Sequence, residues 1–262
     1  MGDLELLRGR LEELGRITVA FSGGADSAFL AWMAHDTLGR AGAHAVTAVS
    51  ASLPDAEAAD CAALAAEWGL HWTSVTTNEL ARADYVANGG DRCFHCKAEL
   101  MDALQPLASL DGSTVVLGTN LDDLGDHRPG QRAAADRGAA FPLVDAGFTK
   151  GDVREASKAL GLRTWDKPAA ACLASRIPYG TPVTFRTLTR VGQAEEALHG
   201  LGFRQVRVRH YGDTARLEID THDLARAKKR QVEVIAAVKA FGYATVILDP
   251  EGYRQGNLNS AL

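Results

Sequence analysis

Ser22-Gly23-Gly24-Ala25-Asp26-Ser27 is the stretch on which the reading of this chain turns. The apolar run Ile17-Thr18-Val19-Ala20-Phe21 precedes it, and Ala28-Phe29-Leu30-Ala31-Trp32-Met33-Ala34 follows. That order reads as strand, tight turn and helix start. Two glycines let the backbone bend sharply and lie close to a ligand. The first N–H groups of the helix then point at an anion, and the helix dipole adds to the attraction. Ser22 and Ser27 bring hydroxyl donors, and Asp26 suits a metal ion or an orienting role. The lysine of G-x-x-x-x-G-K-[ST] is missing, so this is not a Walker A loop, and its spacing is not G-x-G-x-x-G.

Working outward, leucines at 4, 6, 7, 11 and 14 predict a short amphipathic helix ahead of the first strand. Further strands are expected at 45–49, 71–75 and 114–117, with helices over 55–68 and from about 97 to 107. Strands alternating with helices predict an α/β fold with a doubly wound parallel sheet. Ligands in such sheets sit at the carboxyl ends of the strands. The loop at 22–27 lies at one such end, and Gly118-Thr-Asn-Leu-Asp-Asp-Leu-Gly-Asp-His-Arg-Pro-Gly130 lies at another. Carboxylates there suit Mg²⁺ bridging phosphates. Asn120, Asp123 and Arg128 are the candidates on the nucleotide side.

Residues 166–182 are punctuated by proline and glycine and read as a functional loop. From Phe185 the pattern changes to helix (188–201), strand (205–210), strand (215–219), helix (224–241) and strand (245–248). This predicts a small α+β domain, with domains at 1–182 and 183–262.

The chain has 262 residues, 46% of them hydrophobic and 23% charged, with net charge −5. An acidic balance argues against broad binding to nucleic acid, whose footprint is a basic face. No apolar stretch approaches the roughly 20 residues that span a bilayer, so no membrane partner is expected. The acidic, amphipathic N-terminus is unlike a signal peptide, and the expected location is cytoplasmic. Four cysteines in a chain this long do not suggest a disulfide scaffold. Cys61 falls in the apolar pattern of its helix and reads as core. Cys93 and Cys96 form a C-x-x-C pair, a spacing that serves one metal or a redox disulfide; a zinc site needs two more ligands. Cys172 lies in Lys167-Pro-Ala-Ala-Ala-Cys-Leu-Ala-Ser-Arg-Ile-Pro-Tyr-Gly180, with small neighbours and with Arg176 near enough to favour a thiolate. In Arg204-Gln-Val-Arg-Val-Arg-His210, strand alternation puts Arg207 and Arg209 on one face, where two guanidinium groups suit a phosphate.

The S-G-G-A-D-S loop resembles the pyrophosphate loop of the PP-loop ATP pyrophosphatases, which split ATP between the α and β phosphates. With G-T-N-L-D-D, R-C-F-H-C-K and A-C-L-A-S-R-I-P-Y-G-T-P-V-T at 171–184, nearly the whole chain resembles the LarE family of ATP-dependent sulfur transferases. The resemblance implies a small phosphorylated substrate, a pyridinium dicarboxylate mononucleotide. ATP adenylates one carboxylate, a cysteine displaces AMP, and C–S cleavage leaves a thiocarboxylate. It implies catalytic roles for Cys172, Asp26 and Arg176, and ATP binding by Ser22, Gly23, Gly24, Asp26 and Ser27. Arg207 and Arg209 would hold the substrate phosphate beside Ser175, Arg176 and Glu196, and Phe94 would stack on the pyridinium ring. Mg²⁺ would sit at Asp26, with Glu218 a weaker candidate. Members with a single active-site cysteine give up its sulfur. Others hold a [4Fe–4S] cluster on three cysteines, here Cys93, Cys96 and Cys172. Homo-oligomers are usual in the family. Related PP-loop proteins thiolate tRNA or make amides, and a nucleotide-sensing protein would bind ATP without cutting it.

Overall fold

The computed structural model describes residues 2–125, 129–168 and 171–254. The chain divides into two compact units: Met1–Glu79 with Asp91–Ala170, and Leu80–Gly90 with Ala171–Leu262.

In the first unit, α1 (Leu4–Leu14) leads into β1 (Ile17–Ala20), α2 (Ala25–Gly42), β2 (Ala43–Val49), α3 (Asp55–Glu67) and β3 (His71–Thr76). The next helix, α4 (Ala83–Ala87), belongs to the second unit. The first resumes with α5 (Arg92–Asp111), β4 (Thr114–Val116), α6 (Pro129–Ala135), α7 (Pro142–Asp145) and α8 (Lys150–Ala159). Strand order is β3-β2-β1-β4, and each neighbouring pair is parallel. Side-chain direction alternates along a strand. Ala45 accordingly joins the cluster of Leu7, Leu11, Phe29 and Met33, while Val46 joins Met101, Leu104 and Val115. A parallel sheet covered on both faces is the doubly wound α/β arrangement expected from the sequence.

Residues 22–24 follow β1 at its carboxyl end. The α5 helix begins at Arg92 rather than near 97, so the C-x-x-C pair lies in its first turns instead of in a loop.

The second unit contains α4, then α9 (Phe185–Gly200), β5 (Val206–Tyr211), β6 (Thr214–Ile219), α10 (Leu224–Lys229), α11 (Gln231–Lys239) and β7 (Thr245–Leu248). β5 pairs antiparallel with β6, and β6 parallel with β7. Helices α9 and α11 bury Leu198, Val234 and Val238 against Val208 and Leu217 of the sheet. The helix expected over 224–241 is broken at Arg230, whose φ of −102° and ψ of 23° interrupt the helical run. Leu80–Gly90 is carried into this unit by Asn88. Its buried amide donates to the carbonyls of Pro178 and Thr181, each at 2.8 Å. Among the described residues no helix is long and apolar enough to cross a membrane.

His210 gives the second unit a pH dependence. It is 4% exposed and its Nδ1 lies 3.0 Å from the Tyr243 hydroxyl. Burial, then the charge of Arg190, pushes its pKa below the ordinary 6.5, and burial pushes Tyr243 up to about 12. The unfolded chain takes up the proton near 6.5 and the folded chain resists it. Stability is therefore level above that pH and falls as pH drops toward the lower folded value. Denaturant midpoints measured from about pH 7 to about pH 5 should fall, and His210→Gln should flatten the fall. An unchanged slope in His210→Gln would contradict this.

Candidate active site

At the carboxyl end of β1, Gly23 takes φ +68°, a conformation side chains rarely adopt. A Cβ there would also lie 2.8 Å from the Cys61 sulfur. Gly24 is different. It is extended (φ −72°, ψ 161°), and a Cβ would meet only the Ser22 hydroxyl at 3.6 Å. The hydroxyls of Ser22 and Ser27 are 2.9 Å apart, Ser27 Oγ accepts from the Ser22 N–H at 3.2 Å, and Gly24 caps α2 without a side chain. The loop is thus closed on itself, with the N–H groups that open α2 outside its internal bonds.

The 118–123 segment meets this loop. Gly118 packs against it so closely that a Cβ would lie 2.8 Å from Ser27 N. Asn120 is fully buried and donates from Nδ2 to Asp26 Oδ1 at 3.1 Å. Asp123 closes the turn by accepting from the Asn120 N–H at 3.3 Å. Arg128 lies outside the described residues. Lys150, which no local pattern marks, places Nζ 3.4 Å from Asp26 Oδ2. Lys167 reaches α3 beside the loop and binds Glu57 and Asp60, each at 2.7 Å. Burial opposes the Lys167 charge, but the hydrogen bonds it donates to these carboxylates win and its pKa is raised. Cys61 is fully buried, as expected, and burial pushes its thiol pKa up.

In the second unit, Cys172 is half-buried and precedes a short 3-10 turn, Leu173–Arg176. Arg176 fixes that turn. Its Nη1 donates to the carbonyls of Ala171 (2.6 Å) and Cys172 (3.0 Å) and to Ser175 Oγ (2.9 Å). Its Nε and Nη2 form a two-pronged pair with Glu195, both at 2.8 Å. The side chains of this pair are 3% and 6% exposed. Glu195 Oε1 also accepts from the Val208 N–H at 2.9 Å. The arginine therefore acts on the Cys172 backbone rather than standing as a loose cation beside it. The carboxylate at this site is Glu195; Glu196, expected there, points outward and is exposed.

Arg209 donates to Glu218 through Nε (2.9 Å) and Nη2 (2.7 Å), and through Nη1 to the Ser175 carbonyl at 2.8 Å. Glu218 is 1% exposed, so its carboxylate belongs to this arginine cluster. Arg207 is buried, donates to the Val206 carbonyl at 2.8 Å and lies over the Tyr253 ring. Burial, then the charge of Arg176, pushes its pKa down. Among the described residues, three buried guanidinium groups share this core with the carboxylates of Glu195 and Glu218.

Cys93 is exposed and Cys96 half-buried, three residues apart on α5 in the first unit. Phe94 between them is half-buried, with its ring edge on His95. Among the described residues no group of three or more His, Cys, Asp or Glu side chains is arranged to hold a metal ion. A cleft of about 430 Å³ on the second unit lies between Phe185, Arg190, Phe241 and Gly242. None of these is among the expected site residues, and no cysteine lines the cleft.

A parallel sheet with a glycine–serine–aspartate loop closing its first strand defines the PP-loop class of α/β proteins. No family model matches the chain. It is 37% identical over 253 residues, 96% of its length and 92% of the relative's, to the pyridinium-3,5-bisthiocarboxylic acid mononucleotide synthase of Lactiplantibacillus plantarum. It is 45% identical over 262 residues, 99% of its length and 97% of the relative's, to an uncharacterized protein of Synechocystis. An uncharacterized protein of Methanocaldococcus jannaschii is 30% identical over 64% of this chain and 66% of its own. The chain belongs to the LarE family.

Proposed function

We propose that this chain is an enzyme that uses ATP to convert a carboxylate of pyridinium-3,5-biscarboxylic acid mononucleotide to a thiocarboxylate. The observation that carries the reading is the near full-length identity to a synthase named for the bisthiocarboxylic acid product. The closed loop at the end of β1 and the turn holding Cys172 support it.

The substrate carboxylate attacks the α phosphorus of ATP at the loop. Pyrophosphate leaves and an acyl adenylate forms. Asp26, steadied by Asn120, would hold Mg²⁺. One carboxylate is a suitable protein share for this ion, because substrate phosphates and water supply its other ligands. Bound there, the ion neutralises charge on the phosphates. The Cys172 sulfur then attacks the acyl carbon, and AMP departs with the electron pair of the broken C–O bond. If Cys172 gives its own sulfur, loss of its Cα proton breaks the Cβ–S bond. The electrons stay on sulfur, leaving a thiocarboxylate and dehydroalanine. The cluster of Arg176, Arg207 and Arg209 suits the substrate phosphate, whose binding would offset the repulsion from Arg176 that, after burial, lowers the Arg207 pKa. Phe94 would stack on the pyridinium ring.

The other source of sulfur is a [4Fe–4S] cluster on Cys93, Cys96 and Cys172. These residues come from both units. Anaerobic iron and sulfide quantification decides between the two: bound iron lost in Cys93→Ala and Cys96→Ala favours the cluster, and iron-free protein that loses hydrogen sulfide on turnover favours sacrifice. Pyrophosphate release stimulated by the pyridinium mononucleotide and not by bulk tRNA supports the proposed substrate. The reverse pattern supports a tRNA thiolase, against which the acidic balance stands.

Gly24 carries a separate prediction. Neither φ nor crowding demands glycine there, and the missing side chain leaves room for close approach of the nucleotide. Gly24→Ala should keep its melting temperature while ATP affinity drops roughly tenfold or more. Equal ATP affinity would argue against that close approach.

A further inference from the structure

The loop has no lysine of its own, yet the fold brings one to it. Lys150 Nζ lies 3.4 Å from Asp26 Oδ2, across 124 residues of sequence. Its backbone is fixed at the first position of α8. Thr149 caps that helix and closes a capping box with Asp152, and the Lys150 N–H donates to Asp122 Oδ2 at 2.8 Å. The side chain is not fixed in the same way. It is 39% exposed, and among the described residues Asp26 is its hydrogen-bond partner, at a long distance for an ammonium–carboxylate bond. Lys167, the other lysine near the loop, is the opposite case: two carboxylates hold it at 2.7 Å and it is 17% exposed. One lysine is locked and the other is poised.

We propose that Lys150 is the mobile cation of the nucleotide site. In the free protein it neutralises Asp26. Asp26 would hold magnesium bound with ATP, and the charge of that ion would repel the Lys150 ammonium from the shared carboxylate. The ammonium then moves onto oxygens of the pyrophosphate portion of ATP, which gathers negative charge as the bond to the α phosphorus breaks. The inference rests on the reading of the 22–27 loop as an ATP site and adds a residue to it.

Calorimetric titration tests it, using magnesium with an ATP analogue whose α and β phosphates are bridged by a methylene group. Wild type, Lys150→Met and Lys150→Arg are compared, with magnesium alone as a second titrant. Loss of one charge-assisted contact predicts roughly ten- to a hundredfold weaker analogue binding in Lys150→Met. Lys150→Arg should recover most of it, and melting temperatures should stay close to wild type. A lysine serving only as counterion to Asp26 behaves differently. Its removal frees the carboxylate, so Lys150→Met would bind magnesium more tightly and the analogue at least as well as wild type, and that result overturns the inference. If wild type itself fails to bind the analogue, the ATP reading of the loop falls, and this inference with it.

Discussion

Cys172→Ala should abolish thiocarboxylate formation while leaving ATP–pyrophosphate exchange with the pyridinium substrate close to wild type. In the proposed reaction the two half-reactions use different parts of the chain. Adenylation would draw on the loop at 22–27 with Asp26 and Asn120, all in the first unit. Acceptance of the acyl group would draw on the sulfur at 172. Alanine keeps the backbone of the turn, whose bonds run through the carbonyls of Ala171 and Cys172 and not through the side chain. Folding should therefore survive, and adenylate should accumulate or hydrolyse. The loss holds whether the sulfur is given up or ligates iron. Thiocarboxylate made by Cys172→Ala would remove this residue from the chemistry.

The largest stability effect is expected at Glu195. Its carboxylate is the two-pronged partner of buried Arg176 and accepts from the Val208 N–H. Glu195→Ala leaves a buried guanidinium without its counter-charge and a strand N–H without its acceptor. Removing one member of a buried pair costs about 3–5 kcal/mol, a large share of the roughly 5–15 kcal/mol that holds a domain together. The damage should spread to the 3-10 turn that presents Cys172, because the same arginine binds its carbonyls. Glu195→Gln keeps an oxygen for Val208 and an acceptor for Arg176, and should cost less. Denaturant unfolding checks both variants, and a change below about 1 kcal/mol in Glu195→Ala would place the pair in the class of weak surface ion pairs.

Much of the first unit was legible in the chain because its signals are local. The glycines and serines of 22–27 are contiguous, and each parallel strand is a short apolar run between helical patterns. The Glu195 assignment was within reach as well. Leu188, Val191, Glu195 and Leu198 recur at helical spacing, so a carboxylate in that stripe faces the core and its neighbour at 196 does not. Lys150 carries no such signal, since its partner lies 124 residues away and only the packing of α8 beside the loop brings them together. The capture of Leu80–Gly90 by the second unit is equally silent in the sequence. It rests on the buried amide of Asn88 finding carbonyls of the 178–181 turn and on backbone bonds from Gly180 and Val183 to the carbonyls of Asn88 and Val86. The break at Arg230 was also hidden, because no proline or glycine marks it.

The most direct measurement is mass spectrometry of small molecule and protein together after a single anaerobic turnover with ATP, Mg²⁺ and pyridinium-3,5-biscarboxylic acid mononucleotide. The expected product is a mononucleotide in which one oxygen has been replaced by sulfur, formed with AMP and pyrophosphate and lost in Cys172→Ala. AMP and pyrophosphate released with no sulfur in the product, or a sulfur-containing product formed without ATP cleavage, would contradict the proposed reaction.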